Sequence, residues 1–280
     1  MTTPPRVCTY ESRLGDEMSR LVQRAGGIPF NAPSMQEIPL SDNSAVFEFA
    51  EKLLAGQVPL IVFMTGVGTQ ALFDALETRG QATAVQAALA QQTVIARGPK
   101  PASALAKMKI RVDVKVPEPN TWQELTHQME RLPIELQGKQ VAVQEYGIAS
   151  TDFYRWLNDH GATVLPVPVY RWGLPDDLEP LKQAVQRTVQ REFEIQLWTS
   201  AQQATHVLEI ADQLGLRKEW LAAANRCVIG SIGPTASERL CSVGLIPDLE
   251  PSHPKMAHLV RETLQKAADL FPAKQVSRQD

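Results

Sequence analysis

The sequence is short of the residue sets that usually announce chemistry. It has three cysteines, Cys8, Cys227 and Cys241, with no CxxC pair among them. An odd, scattered set excludes a disulfide framework and a cysteine-built metal site, and it predicts reduced, buried thiols. The five histidines are equally dispersed. His253 and His258 lie closest, yet they miss the i,i+4 spacing that puts two rings on one helix face, so no metal site is expected. There is no phosphate-binding glycine loop and no nucleophile triad. No apolar run approaches the ~20 residues of a membrane span, and 60–64 is only strand-sized. Residues 1–5 carry no secretory pattern, which predicts a cytoplasmic protein with no membrane partner. A net charge of −3 gives no field favouring nucleic acid, so an anionic ligand needs a locally basic site.

What is present is an ordinary globular composition. Over 280 residues, 44% hydrophobic and 21% charged, the chain is long enough for two domains, each with its own core. Strand-like runs at 7–10, 60–65, 93–96, 111–116, 140–144, 163–169, 195–199 and 227–232 alternate with amphipathic stretches such as 17–24, 70–77, 153–159 and 202–214. That alternation predicts an α/β fold of parallel sheets flanked by helices.

The chain also repeats itself. Residues 60–72 read LIVFMTGVGTQAL and 195–208 read IQLWTSAQQATHVL, each a buried strand ending in threonine, then small residues and a helix start. VIARGPKPASAL at 94–105 matches VIGSIGPTASERL at 228–240. From Thr65 to Gly98 is 33 residues (98 − 65), and from Thr199 to Gly233 is 34 (233 − 199). Each Gly-Pro is followed by a further strand and then an extended, proline-containing approach to a helix, at 117–129 and 250–260. The last pairing is out of order: 141–170, a strand, helix and strand, matches 6–35, with Gly161 opposite Gly26 and Pro168 opposite Pro33. The second copy is therefore closed by the amino terminus. The reading is two similar lobes, residues 37–170 continuous and residues 1–36 with 171–280 discontinuous, joined by a two-strand crossover near 32–38 and 169–174. It places 7–10 in one parallel sheet with 195–199, and beyond Gln265 it expects only a short tail.

This interleaved layout carries Trp198-Thr199-Ser200 after one strand and Ile232-Gly233-Pro234-Thr235 after another. With the stretch 244–250 and Val169-Tyr170 before the crossover, it resembles the uroporphyrinogen-III synthase family over essentially the whole chain. The resemblance implies a cofactor-independent, cyclising hydro-lyase of tetrapyrrole and heme biosynthesis. The implied substrate is the linear tetrapyrrole hydroxymethylbilane, closed to uroporphyrinogen III with loss of water and inversion of the fourth pyrrole ring. In that reaction hydroxide leaves to give an azafulvene, and the fourth ring attacks through its substituted carbon to give a spiro intermediate. Bond migration and closure follow. The protein holds a flexible chain folded and assists departure of hydroxide. A monomer acting on a small molecule is expected.

Under that reading the strand ends carry the site, since ligands of parallel sheets bind outside the carboxyl ends of strands. Thr65, Gly66, Gly98, Thr199, Ser200, Gly233, Pro234 and Thr235 stand where strands give way to helices, whose N–H groups favour carboxylates. Tyr170 matches the family tyrosine that assists hydroxide departure, and a protonated phenol can donate there. Tyr146 is a lesser candidate. Arg13, Arg97 and Lys100, then Arg171 and Lys255, are candidates to neutralise substrate carboxylates, arginine by a bidentate grip. Of these, Arg97 directly precedes a Gly-Pro turn at a strand end. Ordinary alternatives stay open for each: caps and tight turns, a packing aromatic at the crossover, solvated surface charges. Two departures from the family pattern, Met64-Thr65-Gly66-Val67-Gly68 and Pro101 in a threonine's place, keep a second reading. It is a catalytically silent paralogue acting as a tetrapyrrole or metabolite sensor. A two-lobed solute binder is a third reading, disfavoured by the absent secretory pattern.

Overall fold

In the computed structural model, which describes residues 3–40, 42–145, 147 and 149–276, the chain divides into two units. One is Glu37–Trp172; the other is Met1–Gln36 together with Gly173–Asp280. The split unit opens with β1 (Arg6–Thr9), α1 (Gly15–Arg24) and β2 (Ile28–Asn31). β3 (Gln36–Pro39) then leads into the continuous unit: α2 (Ser44–Leu54), β4 (Leu60–Phe63), α3 (Gly66–Glu77), α4 (Ala82–Leu89) and β5 (Thr93–Ala96). It continues through α5 (Pro99–Lys107), β6 (Val114–Lys115), α6 (Trp122–Met129), β7 (Gln140–Gln144), α7 (Thr151–Asp159) and β8 (Thr163–Val167). β9 (Tyr170–Gly173) returns the chain to α8 (Glu179–Val189), β10 (Ile195–Trp198), α9 (Ala201–Gln213) and α10 (Arg217–Ala224). β11 (Val228–Ser231), α11 (Pro234–Ser242) and α12 (Met256–Val276) complete it. The two crossing strands, β3 and β9, pair with each other as a sheet of their own.

The continuous unit has a parallel sheet ordered β6-β5-β4-β7-β8, the split unit one ordered β11-β10-β1-β2. Alternate strand residues face opposite layers. Ile61 and Phe63 meet the apolar sides of α2 to α5, while Leu60 and Val62 meet α6 and α7. The split unit is built the same way, Cys8 and Trp198 facing α8 to α11, and Val7 and Leu197 facing α1 and α12. Val7 lies parallel beside Ile195, so the amino-terminal strand does fill the place that the permuted repeat assigns it.

The register shows how deep the repeat goes. Leu60 pairs with Thr93 and Ile195 with Val228, both 33 apart (93 − 60, 228 − 195), so the units correspond at an offset of 135 (195 − 60). At that offset Asp113 and Asp248 coincide (248 − 113 = 135) and do the same work. Each carboxylate accepts a strand N–H, of Val94 at 2.8 Å and of Ile229 at 2.7 Å, tying the outer segment to its neighbour. Arg111 neutralises the first and Lys274 the second. Gly26 and Gly161 end equivalent helices at φ +86° and +76°, a region closed to most side chains.

Two sequence expectations need correction. Thr65 does not correspond to Thr199 but to Ser200: both are helix N-caps, and Thr65 to Gly98 and Ser200 to Gly233 are then equally 33 apart (98 − 65, 233 − 200). The strand expected after Gly233-Pro234 shrinks to one bridge, Gly230 to Leu249, since Pro247 cannot donate to a ladder. Beyond Gln265 the chain stays helical to Val276, because Leu264, Ala267, Leu270 and Phe271 continue the apolar stripe of α12 onto the core.

Candidate functional site

Both sheets change winding direction once, between β4 and β7 and between β10 and β1. There the following helices leave on opposite faces, which opens a crevice at the carboxyl ends of the strands. In the continuous unit its lip is Thr65 and Gly66 from β4, with Gln144 and Glu145 from β7. Thr65 caps α3, its Oγ1 accepting the Gly68 N–H at 3.0 Å. Its own N–H donates to Gln144 Oε1 at 3.2 Å, and the Gln144 amide donates to the Glu145 carbonyl. Thr65 Oγ1 also lies 3.4 Å from the Tyr170 hydroxyl. Tyr170 is only 4% exposed and meets Trp172 edge-on at 5.3 Å. A Cβ added at Gly147 would stand 2.6 Å from Trp172 and 2.9 Å from Tyr170, so Gly147 lies against both rings.

The end of β5 joins this lip. A Cβ on Gly66 would stand 2.8 Å from the Lys100 carbonyl oxygen, so the first turn of α5 abuts it. Half-buried Arg97 is fixed through its backbone, its N–H donating to the Phe63 carbonyl at 3.0 Å. With its amide turned to donate, Asn120 reaches the carbonyls of Val116 at 2.9 Å and Arg97 at 3.1 Å, beside Gly98. Thr65, Gly66, Arg97, Gly98, Lys100 and Tyr170 thus gather at one end of one sheet. Pro99 and Pro101 leave the first turn of α5 with fewer N–H groups than the matching turn of α11, which has Pro234 and then Thr235.

In the split unit the same end is built by different residues. Ser200 caps α9 in a capping box with Gln203. Gln203 Oε1 accepts the N–H groups of Thr199 at 2.8 Å and Ser200 at 3.2 Å, while its Nε2 reaches the Tyr10 carbonyl at 3.1 Å. Thr199 Oγ1 donates to Glu11 Oε2 at 2.6 Å, and Glu11 Oε1 accepts the N–H groups of Arg13 at 3.2 Å and Leu14 at 3.3 Å. Glu11 therefore ties the backbone at Arg13, whose side chain is exposed, to Thr199. Gly233, Pro234 and Thr235 start α11 at this end of the sheet. Arg171 is exposed on β9 and Lys255 is exposed at the start of α12; Tyr146 lies outside the described residues.

Sequence reasoning missed Glu11, Gln144, Glu145 and Gln203. Only Gln203 had a local signal, the Ser-x-x-Gln capping pattern. Glu145 is the most unusual of the four. It is buried, accepts the Tyr154 hydroxyl at 2.7 Å, and burial pushes its carboxyl above the ordinary range against the opposing pull of that hydrogen bond. The fold thus holds this proton more tightly than the unfolded chain does. Stability from Glu145 is full below the ordinary carboxylate range and is lost as pH rises through the raised value. Glu145→Gln keeps an acceptor for Tyr154 and cannot ionise. Urea unfolding at pH 4 and pH 8 is expected to show the variant gaining on the parent at the higher pH; parallel behaviour would refute the linkage.

Among the described residues no trio of His, Cys, Asp or Glu is arranged to hold a metal ion, and no helix is long and apolar enough to cross a membrane. A family profile described as uroporphyrinogen-III synthase HemD matches residues 16–261. A Bacillus subtilis protein named "Uncharacterized protein YjjA" is 26% identical over 261 residues, covering 92% of this chain and 94% of that one. A Methanothermobacter thermautotrophicus protein named "Putative uroporphyrinogen-III synthase" is 27% identical over 231 residues, 82% and 85% of the two chains. Among solved structures, a mutant uroporphyrinogen III synthase of Thermus thermophilus superposes with a TM-score of 0.70 at 22% identity, over 95% of this chain and 99% of that one. The wild-type enzyme in a second crystal form gives 0.56 at 24% identity, over 94% and 99%. Likeness at that identity establishes the fold.

Proposed function

The chain belongs to the uroporphyrinogen-III synthase family, and from that premise we propose that it cyclises hydroxymethylbilane to uroporphyrinogen III. The observation that carries the reading is the Tyr170 hydroxyl set 3.4 Å from Thr65 Oγ1 at the winding switch of one sheet. Thr65 Oγ1 already accepts from Gly68, and when it accepts again from the buried phenol its own proton is left to point outward. A hydroxyl polarised in this way donates to the departing hydroxide of the bilane, with Tyr170 standing behind it. The fourth ring then attacks the azafulvene, and the spiro intermediate rearranges without further acid from the protein. Backbone N–H groups at the helix starts and the nearby cations hold the substrate's carboxylates, which folds the flexible chain for closure.

Arg97 takes part through charge. Arg97→Ala is expected to raise the bilane concentration for half-maximal rate roughly tenfold, the loss of one charge-assisted hydrogen bond, with kcat nearly unchanged. A fall in kcat at constant KM would assign Arg97 to the chemistry instead.

One observation favours a silent paralogue, namely the proline pair at 99 and 101 that strips donors from the first turn of α5. Steady-state cyclisation with isomer analysis separates the two. Spontaneous closure gives the non-inverted isomer I, so isomer III reports enzyme action, whereas binding of the bilane with isomer I alone identifies a sensor.

A further inference from the structure

The loop from Leu249 into α12 holds a cluster that the proposed reaction has not used. Leu249 bridges parallel to Gly230, so the loop leaves at the carboxyl end of the split unit's sheet. There Pro254 lies against Gly233, 3.9 Å from where a Cβ would stand. The rings of His253 and His258 sit 4.8 Å apart, with Ser252 Oγ 3.2 Å from one Nδ1 and 3.4 Å from the other. Glu262 closes the cluster from behind. It accepts the Ser252 hydroxyl at 2.7 Å and N–H at 2.8 Å, and lies 3.1 Å from His258 Nδ1. Those two Ser252 hydrogen bonds, with smaller help from His258 and Arg261, hold the Glu262 carboxyl down at about 2, so it is ionised near neutrality. Arg261 flanks the group, 3.1 Å from His258 Nδ1.

The arrangement is not a hydrolytic triad. Ser252 and Glu262 both address Nδ1 of His258, and the serine proton goes to Glu262, so no imidazole stands between acid and nucleophile. Both rings are held at Nδ1, and among the described residues neither Nε2 has a hydrogen-bond partner. The other unit supplies the contrast. Its α6 starts with a capping box in which Glu124, three residues after Thr121, neutralises the helix terminus. Three residues after Lys255, the matching place in α12 holds His258, and the acid stands one turn on at Glu262. An acid at a helix start has been exchanged for an imidazole.

We propose that Ser252, His253 and His258, beside Gly233, form a carboxylate-binding subsite. It rests on the proposed function only for its natural occupant, a carboxylate arm of the tetrapyrrole. A carboxylate bridging the two Nε2 positions accepts a hydrogen bond from each ring. Arg261 and Glu262 of α12 flank the pair, and Pro254 joins it to Gly233 at the start of α11.

The test follows the histidine ring signals of the full-length protein by NMR during titration with citrate, inorganic phosphate and uroporphyrin III. Citrate and uroporphyrin are expected to move the His253 and His258 signals, with citrate bound about tenfold more tightly than phosphate. The His253→Gln/His258→Gln variant is expected to lose about tenfold in citrate affinity with the other histidine signals in place. Signals unmoved by citrate, or phosphate bound as tightly as citrate, would each overturn the subsite. Citrate binding with no uroporphyrin binding would count against the synthase reading and leave the subsite standing. Isomer III formed by a protein indifferent to citrate would do the reverse.

Discussion

Tyr170→Phe is expected to lower kcat for isomer III formation about 10²-fold, the low end of what acid assistance contributes, and to leave KM within about twofold. The ring stays, so the edge-on contact with Trp172 and the packing beneath Gly147 survive. What goes is the hydroxyl behind Thr65 Oγ1. Thr65→Val removes the donor itself and is expected to cost at least as much. Because the two hydroxyls act in series, the double variant should be little worse than Thr65→Val alone, a non-additivity that independent packing roles would not produce. Full turnover in Tyr170→Phe would remove the phenol from the mechanism. Equal and additive losses would make both residues structural.

Gly68→Ala is expected to destabilise the protein by about 3 kcal/mol, the upper end for overpacking a filled core, and to lower activity with it. A methyl there would stand 1.9 Å from Gln144 Nε2, 2.6 Å from its Cδ and 2.8 Å from Thr65 Oγ1. Gln144 is fully buried and cannot swing aside without abandoning the Thr65 N–H and the Glu145 carbonyl. Gly68 corresponds to Gln203 at the repeat offset (203 − 68 = 135), so in the split unit the same job is done from the helix by Gln203. The combination Gly68→Gln with Gln144→Ala copies that solution and is expected to recover most of the lost stability in urea unfolding. A double variant no better than Gly68→Ala would mean that the two glutamines are not interchangeable supports.

The contrast between these glutamines explains what the sequence can disclose. Strands such as 93–96 and 140–144 announce themselves because buried parallel strands are continuous apolar runs, and β5 and β7 have those bounds. The permuted closure by 6–35 was legible because a repeat leaves similar letters at similar spacing. Thr65 was aligned with Thr199 because identical letters outweighed position, whereas the structure matches Thr65 to Ser200 by their shared capping role. β3, β9 and the Leu249 bridge are too short to show a period. Gln144 and Glu11 escaped for another reason: each acts on backbone or hydroxyl groups far along the chain, Gln144 on Thr65 and Glu11 on Thr199. A bond spanning 79 or 188 residues leaves no local pattern. The strand-end residues could be named in advance because parallel sheets put ligands there, but what orients them could not.

The most direct test of the synthase assignment is the isomer composition of the product. Purified protein is mixed with freshly prepared hydroxymethylbilane, the macrocycle is oxidised, and isomers I and III are separated. Isomer III is expected in proportion to protein added, above the isomer I that forms spontaneously. Isomer I alone, at the spontaneous rate and with the bilane demonstrably bound, would contradict it.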